Sequence, residues 1–131
     1  MKKLIPHLVV LTAAVLMSNT LFAHHGAGVY DREQSVTHTG SVTQFHFVNP
    51  HVLIYIAVEQ EDGTTVEWSG ELTSPNRLAR MGLGDVRWHK DLLHPGDVIT
   101  LTGNPARNGA PALLLNTVQS ADGTTLIGSG R

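Results

Sequence analysis

The chemistry this chain can offer is concentrated in its histidines. There are eight of them in 131 residues and no cysteine at all. His24 and His25 are adjacent, and a cut after Ala23 would leave His24 at a free N-terminus. Its α-amine and its own imidazole could then close one chelate ring on a metal ion, with His25 adding a second imidazole. The amine has an ordinary pKa of about 7.7–8.0, so freeing it for coordination costs little at neutral pH. Imidazole suits copper, zinc and nickel, and a nitrogen-only donor set favours Cu(II) by the usual divalent order. A second pair stands in His46-Phe47-Val48-Asn49-Pro50-His51. With Phe45 and Phe47 facing inward, His46 faces outward. His51 faces outward as well if Val52, Ile54 and Ile56 face inward. A loop of residues 47–50 would set His46 and His51 opposite each other, with Cβ atoms about 4.5–5.5 Å apart and able to share one metal. The alternative stays open that His24 and His25 belong to a plain leader, His51 bonds its turn and His46 decorates the surface.

Other chemistry is weakly supported. His38 shares a strand with His46 but lies about 25 Å away along it if the strand is straight. His89 and His94 fall in a loop and a turn. A thiol nucleophile is impossible and there is no Gly-x-Ser-x-Gly elbow. Gly26-Ala27-Gly28 lacks both the preceding strand and the third glycine of a dinucleotide loop. Glu67 and Glu71 flank Trp68-Ser69-Gly70 without further signs of an acid/base pair. Arg77, Arg80 and Arg87 with Trp88 suggest an anion or sugar platform, or else Arg77 and Arg80 form the solvated face of a helix. No enzyme is expected; a monooxygenase-like redox enzyme with an N-terminal histidine site would have only His24 behind it.

Those side chains need elements to hold them. The first 23 residues read as a cleavable signal peptide: Lys2 and Lys3, an apolar run from Leu4 to Met17, the polar Ser18-Asn19-Thr20, then Leu21-Phe22-Ala23. The run is interrupted by Pro6 and His7 and is shorter than the about 20 residues of a membrane span. Export without a stable membrane anchor is therefore expected. The remainder, residues 24–131, is long enough for one domain with its own core. The whole chain carries 9 Lys and Arg against 11 Asp and Glu, a formal charge of −2. Losing Lys2 and Lys3 takes this to −4, which argues against a nucleic-acid partner.

Val36 to Val48 reads as a long strand with Gly40 placed to let it bend, and residues 52–59 alternate as a second. Asp62-Gly63 is a hairpin signal before a strand over 64–70. Ser74 as N-cap, Pro75 at the first helical position, Leu78 and Met81 on one face and Gly82 at the end predict a short helix. After a loop to Leu93 and a turn at His94-Pro95-Gly96-Asp97 come strands over 98–103 and 112–119. Asp122-Gly123 turns the chain into 124–127, and 128–131 is expected to fray. Three strands, a helix, then two or three strands predict a mainly β protein: a small OB-fold-like barrel of five to six strands with one short α-helix. A small β-sandwich is the alternative. The inner face should include Val42, Phe47, Val52, Ile54, Ile56, Val98 and Leu101.

Four motifs together resemble a family of small exported bacterial proteins of unknown function: the His24-His25 start with Tyr30-Asp31; Thr39-Gly40-Ser41-Val42 leading to Phe45 and Asn49-Pro50-His51-Val52; Ser74-Pro75-Asn76 with Leu78-Ala79-Arg80 and Gly82; and Leu93-His94-Pro95-Gly96-Asp97. The chain departs from that pattern at Gly26-Ala27-Gly28, where bulkier residues are expected. The resemblance implies a periplasmic, OB-like domain and no particular activity. Two readings follow. In one, the protein binds a metal ion, copper, through His24, His25, His46 and His51. In the other, a metal-free module uses an outer face with Leu53, Tyr55 and Trp68 to hold a peptide, a saccharide or a periplasmic protein partner.

Overall fold

In a computed structural model, residues 28–81 and 86–127 are described. The expected signal peptide, His24, His25, Gly82 and the tail 128–131 lie outside them. The elements are β1 (Val36–His46), β2 (Leu53–Glu59), β3 (Thr65–Glu71), α1 (Pro75–Arg80), β4 (Val98–Pro105), β5 (Ala112–Ser120) and β6 (Thr125–Ile127). The sheet order is β3-β2-β1-β4-β5-β6. A further parallel pairing of β3 with β5, Ser69 to Glu71 against Ala112 to Leu114, closes the first five strands into a barrel. The helix lies between β3 and β4. This is the OB-like barrel that the strand order predicts, with β6 added outside β5.

β1 makes the closure possible by serving two partners. Val36–Ser41 pair with β4, and Ser41–His46 pair with β2, with an irregularity between Val42 and Gln44. The bend brings Gly40 onto the backbone of β2. A Cβ there would lie 2.4 Å from the Ala57 carbonyl oxygen, so only glycine fits. Gly103 plays the same part where β4 crosses β5, its absent Cβ falling 2.3 Å from the Leu114 carbonyl oxygen.

The core is apolar throughout. Val42, Val52, Ile54, Ile56, Ile99, Leu101, Leu113 and Val118 line it, and Leu78 of α1 is fully buried with them. Phe45 and Phe47 pack against it, as their alternation predicts. The expected inner face is wrong at one position: Val98 is 49% exposed, and Ile99 is buried in its place. β4 pairs from Val98 opposite Ser41, and its alternation then follows Ile99 and Leu101 inward. Two tryptophans also differ from expectation. Trp68 does not sit on an outer binding face; it is aligned with Val66 and Gly70 and packs against the core. Trp88 is buried and its indole N–H donates to the Leu126 carbonyl at 2.9 Å, so it cannot serve an anion platform with Arg77 and Arg80. Among the described residues no helix is long and apolar enough to cross a membrane.

Candidate metal centre

His51 precedes β2, and the ladder decides what it meets. Val52 is wholly buried and bonds both ways to the end of β3: its N–H donates to Thr73 O at 3.1 Å, and Leu72 N–H donates to Val52 O at 2.9 Å. The chain just past Pro50 therefore belongs to the β2–β3 pairing. This turns His51 towards Glu71, the last residue of β3. The His51 Nδ1–H donates to Glu71 Oε1 at 2.6 Å.

Glu71 has a second donor. Tyr30 is held beside the end of β4 by a bridge to Ala106, and Asp31 N–H donates to Pro105 O at 2.8 Å. From there the Tyr30 hydroxyl donates to Glu71 Oε2 at 2.8 Å. Burial, then the hydrogen bond and charge of Glu71, raise the Tyr30 phenol well above its ordinary range, so it stays a proton donor. Both oxygens of one half-buried carboxylate are thus engaged. The His51 side chain is 46% exposed, and no hydrogen bond within the described residues occupies its Nε2. An imidazole that gives one N–H to a carboxylate and leaves the other nitrogen open is the arrangement that orients metal-ligating histidines.

His46 and His51 do not face each other. The register puts Leu53 opposite His46, so the connection spans residues 47–52 rather than 47–50. His46 Nε2 instead meets Gln44 Oε1 at 3.1 Å, and its ring lies 5.4 Å from that of Tyr55. His24 and His25 lie outside the described residues. Among the described residues, no three His, Asp or Glu side chains converge as a group able to hold a metal ion.

The remaining candidates have structural surroundings. His94 N–H donates to Asp97 Oδ2 at 2.8 Å, capping the turn into β4. His89 Nδ1 accepts from the Asp91 N–H. Glu67 accepts from the Thr43 hydroxyl at 2.7 Å and has no part in the Glu71 network, so the two glutamates are not a pair. His38 faces inward and its ring stacks on Trp68, centroids 3.9 Å apart. Burial lowers its imidazole below the ordinary value. Below about pH 6.5 the unfolded chain takes up a proton that the folded one resists, so stability falls until the folded value is passed. The melting temperature should therefore drop between about pH 7.5 and 5.5 by more in the native protein than in His38→Gln. Equal drops would place the His38 ring in solvent.

The joining of Tyr30 and His51 through Glu71 is what local reading of the sequence does not find. Tyr30 and Glu71 stand 41 residues apart, and Glu71 stands 20 from His51. Only the pairing of strands joins them. The alternation of Trp68 with Glu67 and Ser69, by contrast, is a legible sign that the indole points inward.

A model of a family of unknown function (DUF6152) matches residues 12–114. The crystal structure of the mitochondrial single-stranded DNA-binding protein Rim1 from S. cerevisiae is similar to this chain, with a TM-score of 0.47 and 11% identity, over 72% of this chain and 95% of that one. No curated protein matches the sequence.

Proposed function

The chain belongs to this family of unknown function, and from that premise we propose that it is an exported, periplasmic protein that binds a metal ion, copper before the other divalent ions. The observation that carries the reading is His51, fixed through Nδ1 by Glu71 with Nε2 left open. The Glu71 charge makes that nitrogen a better donor, as carboxylate partners of ligand histidines do. The other donors are the His24 amine and imidazole and the His25 imidazole. Tyr30 follows His25 by five residue steps, a span of at most about 18 Å. Because Tyr30 reaches the same carboxylate that holds His51, the terminal donors are tethered within reach of it. His46 is the fourth side chain, available through exchange of its single surface hydrogen bond to Gln44. Nitrogen donors without thiolate favour Cu(II) over Zn(II).

Copper titration of four proteins tests this: the chain beginning at His24, the same chain with one Ala added before His24, His51→Ala and Glu71→Gln. The added Ala keeps every side chain but separates the amine from its imidazole. Each change should weaken binding by about tenfold or more, equal to about 1.4 kcal/mol. Equal affinity in all four would leave the metal-free module, with Leu53 and Tyr55 on the outer face, as the reading to pursue. Intact mass of the exported protein checks the premise, since a start other than His24 removes the terminal chelate.

A further inference from the structure

Beside Glu71 lies a groove of about 390 Å³, between the end of β3, α1 and the middle of β5. That volume falls in the range of about 300–1,000 Å³ typical of small-molecule sites. Its floor is apolar, with Leu72 and Leu115 buried and Met81 43% exposed at its edge. Two arginines, Arg32 and Arg77, line the same groove. Among the described residues neither has an acidic partner within ion-pair distance. The one carboxylate in the lining, Glu71, accepts from Tyr30 on one oxygen and from His51 on the other, and lies outside ion-pair distance of both arginines. In a chain of net negative charge, two arginines against the single carboxylate of Glu71 over an apolar floor are a local reversal of sign.

We infer that this groove binds a small carboxylate carried on an apolar body. The guanidiniums supply forked donors matched to a carboxylate, and the floor takes the hydrocarbon. Arg77 thereby has a partner in Arg32 rather than in Trp88, which is buried. The site shares Glu71 with the proposed metal centre but needs no metal.

Amide NMR titration of the metal-free protein, kept in chelator, with hexanoate, hexan-1-ol and inorganic phosphate tests it. Hexanoate should bind saturably, shifting the amides of Leu72, Thr73 and Leu115. Hexan-1-ol and phosphate should each bind at least about tenfold more weakly, since each lacks one half of the match. Arg32→Gln and Arg77→Gln should each weaken hexanoate by about tenfold, while Arg77→Lys, which keeps the charge and loses the fork, should fall between. Both arginines are exposed, and an unchanged melting temperature confirms intact variants. Equal binding of hexan-1-ol, tighter binding of phosphate, or indifference to both Gln variants would each overturn the assignment.

Discussion

Ile54→Ala should lower the free energy of unfolding by about 2–5 kcal/mol, the largest single loss expected from this fold. Ile54 has no exposed surface, and it sits in β2 between Phe45 of β1 and Gly70 of β3. Its neighbours along the strand, Val52 and Ile56, are equally buried, so nothing mobile is at hand to fill the space left. Removing three carbons there forfeits both their transfer from water and the contacts around the cavity. Denaturant unfolding followed by circular dichroism measures the loss, and Tyr55→Ala, one residue along on the opposite face, provides the comparison. A loss below about 0.5 kcal/mol at Ile54 would be that of a surface position. The register that turns His51 towards Glu71 would fail with it.

Gly40→Ala should destabilise by about 1–3 kcal/mol although it adds a single methyl group. The added carbon would meet the Ala57 carbonyl oxygen at 2.4 Å, its carbon at 3.0 Å and the Val58 Cγ2 at 3.2 Å. The first two are backbone atoms in a hydrogen-bonded ladder and cannot swing aside. β1 must therefore part from β2 close to where it changes partner, and the barrel opens at its bend. Gly28→Ala is the matched control, since none of the described residues lies within 4 Å of a Cβ there. It should change stability by less than about 0.5 kcal/mol. Equal, small effects at both glycines would mean that β1 does not bend over Ala57.

Both expectations draw on features that are already visible in the linear chain. Ile54 belongs to an unbroken alternation from Val52 to Val58, and period 2 with one apolar face states which side is buried before any partner is known. Gly40 interrupts a run otherwise rich in Thr and Val, and that places the bend. Local rules were weaker at strand starts. Val98 and Ile99 are both β-branched and apolar, so composition does not choose between them; pairing with Ser41 of β1 does. The same holds at His46, where the expected loop of residues 47–50 gave way to 47–52 because Val52 bonds to Leu72 and Thr73 instead of continuing the β1 ladder.

The sequence by itself determined the strands, the turns, the place of the short helix and the supply of nitrogen donors. Each of these depends on interactions within a few residues: alternation across a pleat, a glycine in a turn, a proline opening a helix. Only the tertiary structure decided which donors have company. The carboxylate that orients His51, the tyrosine that holds this carboxylate and the two arginines of the neighbouring groove come from two distant stretches of chain, residues 30–32 and 71–77, with His51 in a third. They meet because β3 closes against β5 in parallel while β1 bends to serve both β2 and β4. Barrel closure is a long-range pairing that no local pattern encodes, since its free energy comes from burying the joint apolar face of all five strands at once.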